Sequence, residues 1–537
     1  MHVARAVSGA VFAAVLAGCG PTEPNGPGTN PAQPPELPQF AATLSSYFPP
    51  PETAGGWRKP TDRSATLALG MDPGKLDALG SYVTSLPYEH YNTGVTGYNE
   101  TDKAALVVKN GWLVGEYYNQ PSAATDVYYL ASNGKTFAIM LLGRLQLDYP
   151  ALGIGPGSRL YDVRWLPEGQ PLSDPRKAGI TLEQVFRHVS GIVPEDEASI
   201  ASGAVPGGAG WNFVPFTVGH DSDWPVSAPL YFTPGDPSSY TKGRTYSSVA
   251  FNHFSILFRN VTQLEPGAYL RRGILDPIGV GRMAYKQRSG MGTYQWATAG
   301  NGLTSARDFA RLAYLLLHEG NWAGHQLFTV DWIRHFTSTP VYPNIRSNQD
   351  CVYGTAYPAD MYLTVGSGVN RAVVVPSLDL VATLNGRTPT GLKDSVTAEF
   401  LRRLFAAVTQ RYVTCDGRVM NPLRVTGLTL IDADTDQPIG SLTDGLALDL
   451  NTLPSRRLNV RAETAPAVVG SVRFGLDAKA NYRTEGAAPY ALAGDDGGDY
   501  RAWTPAAGTH TLTATAYTGA NATGTASVPL VVRFTVR

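Results

Sequence analysis

The chain has 537 residues, more than one ordinary hydrophobic core organises, so two or three domains are expected. Its formal net charge of −1 supplies no positive field for nucleic acid, and beyond the N-terminus no stretch is long and apolar enough to cross a membrane. The 57 glycines and 40 prolines imply many turns and at least one linker.

The N-terminus reads as an address. Arg5 precedes an apolar run from Ala6 to Ala17, which ends in Leu16-Ala17-Gly18-Cys19. Small residues before a cysteine resemble a bacterial lipoprotein signal, in which Cys19 is lipidated and becomes the mature N-terminus. A plain secretory signal is the alternative. The expected product is exported and lipid-anchored to the bacterial cell envelope, at the outer membrane. Residues 20–45 form a linker, and the prolines between Pro21 and Pro38 make it a semi-extended tether. Export implies an oxidising compartment. Of the three cysteines, Cys351 and Cys415 then either pair or stand as separate buried thiols.

A helix is expected from Asp72 to Leu86. Residues 104–118 read as two strands around an Asn110-Gly111 turn, a strong hairpin signal. Next come Ser132-Asn-Gly-Lys135 and Phe137, Ile139, Met140, Leu141, Leu142 and Leu145, apolar nearly all round. Such a helix is buried, so a lysine in its first turn must find partners or shed its proton. Residues i and i+3 share one helical face, so Lys135 can act as general base beside Ser132 as nucleophile.

Residues 180–191 predict a short helix capped by Thr181, with Gly191 at its end. Residues 192–245 suit a long irregular segment around a cleft. Helices follow over 249–258, before Gly279, and from Thr304 or Ser305 through Leu317. Strands flank the Pro376-Ser-Leu-Asp379 turn, preceded by Thr364-Val365-Gly366-Ser367. An amphipathic helix over 392–410 closes this region. From Asn421 the chain holds one lysine, Lys479, and short alternating runs such as Val472, Phe474 and Leu476, which read as an antiparallel β-sandwich.

Ser-x-x-Lys alone is a weak signal; the ordered set is stronger. Ser132 to Lys135 comes first, Tyr246-Ser247-Ser248 second, and the glycine-bearing strand at Gly366 third. A tyrosine can shuttle protons, and a glycine strand lets backbone N–H groups approach a developing oxyanion. Over roughly residues 60–410 the chain resembles the serine β-lactamase and penicillin-binding-protein family, closest to its class C and esterase branch. The resemblance extends to His188-Val-Ser-Gly191, Pro234-Gly235, Asp276-Pro-Ile-Gly279, Gly300 to Asp308, and Val375 to Val381. It implies an α+β domain, with an antiparallel sheet flanked by helices beside a helical subdomain, spanning residues 46–415. An all-β immunoglobulin-like sandwich follows at 421–537, after the signal peptide at 1–19. It also implies that Ser132 is acylated and that Lys135 and Tyr246 handle protons. Ser248, Gly366 and Ser367 contact substrate or form the oxyanion site, with the N–H groups of Ser132 and Ser367 as donors.

Two departures stand out. Ser248 replaces the usual asparagine, and Thr364 occupies the place of a lysine or histidine that binds a substrate carboxylate. Arg371 either replaces that cation or lies on the surface. By the same resemblance His188 is a hydrogen-bonded packing histidine rather than a triad base. Ser190 and Ser367 lack a lysine or histidine at helical spacing. There is no Gly-x-Ser-x-Gly elbow, no His-Glu-x-x-His and no phosphate loop, so neither metal nor cofactor is implied. The expected activity is a serine hydrolase attacking an ester, amide, D-peptide or β-lactam carbonyl, with a small molecule or peptide as substrate. The alternative is an inactive cell-surface binding protein. The sandwich is expected as a spacer, or as a contact for cell wall or glycan.

Overall fold

The computed structural model describes residues 44–87, 102–121, 127–192, 230, 232–235, 245–281, 283–285, 298, 300, 302–421 and 423–537. The leader, Cys19, residues 20–43 of the tether and most of the 192–245 segment lie outside the described residues.

Six strands build one sheet: β1 (Ala104–Lys109), β2 (Trp112–Tyr118), β3 (Ile345–Ser347), β4 (Tyr362–Val365), β5 (Arg371–Val375) and β6 (Leu380–Asn385). Their spatial order is β2-β1-β6-β5-β4-β3, and every neighbouring pair is antiparallel. The β1–β2 hairpin turns through Asn110 at φ 51° and Gly111 at φ 73°, as a two-residue turn with both residues left-handed requires.

Alternation along the strands splits the core in two. Ala105, Val107, Leu363, Val373, Val375 and Ala382 pack with Leu76, Leu79 and Val83 of helix α1 (Pro73–Thr84). The opposite face, with Leu106, Val108, Tyr362, Val374 and Val381, joins the larger core. That core includes helices α2 (Asn133–Asp148), α3 (Leu182–Phe186), α4 (Ser248–Thr262) and α5 (Ala306–Leu317). Helix α6 (Lys393–Ala407) covers the first face through Phe400, Leu401 and Leu404. The result is an α+β layering with the sheet between helices. Leu44 packs against the larger core, and the Ser45 N–H donates to Asp379 at 2.7 Å.

Capping follows the side chains. Asp72 accepts from the N–H groups of Gly74 and Lys75, Thr181 and Gln184 form a capping box, and Ser305 accepts from Asp308 N–H. Helix α3 ends earlier than its sequence suggests. The first left-handed residue after it is His188, at φ 56°, three positions before Gly191 at φ 75°. Val189 N–H then bonds back to Gln184 O at 2.8 Å, and the histidine ring finds polar partners that hold it there.

Residues 424–536 form a four-stranded and a five-stranded sheet around a separate core containing Leu430, Val460, Phe474, Leu512, Ala514 and Phe534. Pairing is antiparallel except where Leu446–Leu448 runs parallel to Leu530–Val536. The expected inward sets Val472 and Phe474, and Leu512, Ala514 and Ala516, are buried; Leu476 is half-buried. Cys351 and Cys415 are joined in a disulfide with their Cα atoms 5.6 Å apart. Among the described residues no helix is long and apolar enough to cross a membrane.

Candidate active site

Ser132 enters helix α2 from the short strand Tyr128–Tyr129, which pairs with Gly302–Thr304. Ala131, directly before it, sits at φ 49°, a left-handed conformation uncommon for a residue with a Cβ. The sharp turn leaves Ser132 half-buried while Asn133, Lys135 and Thr136 are fully covered.

The all-round apolar helix buries Lys135 completely, and its amine is met by polar groups. Lys135 Nζ lies 3.2 Å from Ser132 Oγ and donates to Ser248 Oγ at 2.8 Å. It also stands 4.7 Å from the centre of the Tyr246 ring and 5.7 Å from that of Phe251, within cation–π range. Ser247 caps helix α4 by accepting from Ala250 N–H, which places Tyr246 just outside the helix and Ser248 at its first residue. The first two sequence motifs, 113 positions apart, therefore meet on one amine.

Tyr246 is held on two sides. His188 stacks on its ring, with centroids 3.8 Å apart and planes 15° from parallel. Asn344 Nδ2 donates to its hydroxyl at 2.9 Å. His188 is buried, accepts from Ser247 N–H through Nδ1 at 3.0 Å, and meets Asn344 Oδ1 through Nε2 at 3.0 Å. Burial pushes its pKa down to about 3, so the ring is neutral near pH 7. His188 thus packs on Tyr246 and hydrogen-bonds through both ring nitrogens.

The third motif abuts the first. Asn133 Nδ2 donates to Asn370 O at 3.2 Å, and Asn370 Nδ2 donates to Tyr129 O at 3.0 Å. At Gly366 a Cβ would lie 2.2 Å from Leu130 O and 2.6 Å from Asn133 Nδ2, so no larger residue fits. Ser367 beyond it is exposed. Thr364 is buried, and its hydroxyl has no hydrogen-bond partner among the described residues. Arg371 is not on the surface. Its guanidinium is buried and donates to the carbonyls of Gly366 and of Asn370, bracing the turn after β4. Ser190 is buried, with its hydroxyl on Ile192 N–H.

Asn344 was not legible from the sequence. It precedes β3, 156 positions from His188, and nothing local distinguishes it from a loop asparagine. Its backbone carbonyl accepts from Thr136 Oγ1 at 3.2 Å and from Val365 N–H at 3.1 Å, which ties it to both α2 and β4.

The sequence model of the Beta-lactamase family matches residues 99–338. Over these residues the chain is similar to the beta-lactamase family. The beta-lactamase family is one of serine hydrolases, and Ser132, Lys135, His188, Tyr246 and Ser248 lie inside the match. Asn344, Thr364, Gly366 and Ser367 lie beyond it, and geometry alone links them to this domain.

Solved structures similar to the chain include a penicillin-binding protein homolog from Caulobacter crescentus. It is 16% identical, covers 63% of this chain and 99% of that one, and has a TM-score of 0.43. A D-stereospecific amidohydrolase from Streptomyces sp. is 18% identical over 62% and 97% of the two chains, with a TM-score of 0.40. A beta-lactamase from Mycobacterium bovis is 15% identical over 61% and 99%, with a TM-score of 0.37. No curated protein matches the chain in sequence.

Proposed function

We propose that the chain hydrolyses an ester or amide carbonyl through an acyl-enzyme on Ser132. The observation that carries this reading is the amine of Lys135, buried between Ser132 Oγ and Ser248 Oγ with Tyr246 beneath it. Ser132 Oγ bonds to the carbonyl carbon while its proton passes to Lys135 Nζ. The bond to the leaving group breaks, and that group takes a proton by way of Tyr246. Water then cleaves the acyl-enzyme and restores Ser132. The N–H groups of Ser132 and Ser367 are the proposed donors to the oxyanion.

Thr364, a buried hydroxyl where the resembled family carries a cation, favours an ester or neutral amide over a carboxylate-bearing β-lactam or D-peptide. The same residue supports the second reading, a retired hydrolase whose cleft or sandwich serves as a binding surface. A panel of p-nitrophenyl esters, nitrocefin and D-Ala-D-Ala peptides, run beside Ser132→Ala, tests both. Turnover lost in the variant supports the hydrolase, and no turnover of any substrate favours the binding protein.

For location we propose export and lipid anchoring at Cys19, supported by Leu16-Ala17-Gly18 before it and the proline-rich tether after it. The β-sandwich is proposed as a spacer, with cell-wall or glycan contact as the sharper alternative. Radiolabelled palmitate incorporation that is abolished in Cys19→Ser tests the anchor.

A further inference from the structure

The order of hydrogens behind Tyr246 follows from one backbone N–H. Ser247 N–H can only donate, so His188 Nδ1 must accept and carries no hydrogen. The ring's hydrogen is therefore on Nε2 and points at Asn344, whose atom there must be the carbonyl oxygen. The other end of the same amide, Nδ2, is then fixed toward Tyr246 Oη. Because that oxygen already accepts from Asn344, the phenol's own hydrogen is directed away from Asn344. Among the described residues, the titratable groups facing the Tyr246 ring are Lys135 from α2 and His188 from the turn after α3. Asn344, on the Tyr246 hydroxyl, and Phe251, against Lys135 and His188, are uncharged.

We propose that Asn344 is a positioning residue for Tyr246, oriented by His188, which aims the tyrosine hydrogen at the reaction and stabilises the phenolate when that hydrogen leaves. The inference rests on the acyl-enzyme reading above and adds a residue to it. An amide donor on a phenolate favours the ionised form. Its rigidity comes from being buried and anchored, since Asn344 is only 2% exposed and its carbonyl is held by Thr136 and Val365. At physiological pH an aspartate in its place would still accept from His188 but could not donate to Tyr246. The phenol hydrogen would then turn toward residue 344 and away from the cleft.

The test uses the full chain and a fluorophosphonate probe that labels an active serine, with labelling rate followed against pH for wild type, Asn344→Asp and Asn344→Ala. Expected are rates at Ser132 lowered about tenfold to a hundredfold, the size of a general-acid–base contribution only partly lost. The alkaline limb of the profile should also move to higher pH, because the phenolate has lost its donor and the phenol keeps its hydrogen longer. A merely structural asparagine would lower the amount of folded protein and leave the limb in place. Profiles that superimpose while Ser132 still labels overturn the proposal and leave the acyl-enzyme reading intact. Absence of any labelling in wild type would instead defeat the acyl-enzyme reading. If that happens, or if the variants do not fold, nitrogen-15 NMR of His188 in the unmodified chain decides the arrangement. A hydrogen on Nε2 supports it, and a hydrogen on Nδ1 overturns it.

Discussion

Lys135 Nζ is closer to Ser248 Oγ, at 2.8 Å, than to Ser132 Oγ, at 3.2 Å. The serine that replaces the usual asparagine of the second motif thus makes the shorter of the amine's two serine contacts. Ser248→Ala should loosen the amine without removing it. The expected result is Ser132 labelling slowed about tenfold, against at least a hundredfold for Lys135→Met, which deletes the proton acceptor altogether. Rapid-mixing kinetics with a fluorophosphonate measure both, and equal rates in the two variants would contradict this division of roles.

Gly366→Ala should damage the site through contact rather than chemistry. A Cβ there meets Leu130 O at 2.2 Å, so the end of β4 or the approach to Ser132 must shift. Overpacking of this kind costs about 1–3 kcal/mol. Thermal unfolding should show that loss together with reduced turnover, whereas Ser367→Ala, at an exposed position with its backbone N–H retained, should keep the melting temperature.

Acid should unfold the chain partly through two histidines. His188 and His253 are both held near a pKa of about 3 by burial, against an ordinary value of 6.5. Both are neutral in the folded and unfolded states above 6.5, so their contribution to stability is complete there. Below 6.5 the unfolded chain binds protons that the folded chain refuses, and stability falls until the pH reaches about 3. Each histidine contributes a slope of up to about 1.4 kcal/mol per pH unit in that window. Denaturant unfolding across it should show a shallower pH dependence for His188→Gln than for wild type; identical slopes would contradict the assignment.

The Cys351–Cys415 bond closes a loop of 64 positions, which on chain-entropy grounds stabilises the fold by about 4 kcal/mol at most. Cys351→Ser with Cys415→Ser should therefore lower the unfolding midpoint while preserving Ser132 labelling. Loss of labelling in folded protein would mean that the bond also positions β4.

What could be read from sequence was what local chemistry dictates. The i, i+3 spacing and the apolar run after Ser132 specified a buried amine next to a hydroxyl, and Asn110-Gly111 specified the hairpin. Alternation in Leu512, Ala514 and Ala516 specified an inward strand face. What could not be read depended on distant partners. Asn344 gains meaning only because His188, Tyr246, Thr136 and Val365 converge on it from elsewhere in the chain. Arg371 looked like a surface residue or a substrate cation because nothing in its strand shows that two carbonyls of the preceding turn absorb its guanidinium. His188 could be placed in the left-handed region only once its ring partners were known.

The central claim, an acyl-enzyme on Ser132, is tested most directly by peptide mass spectrometry after fluorophosphonate treatment of wild type and Ser132→Ala. The account predicts one adduct, on the peptide carrying Ser132, and none in the variant. An adduct that persists in Ser132→Ala, or that maps to another serine in wild type, would contradict it.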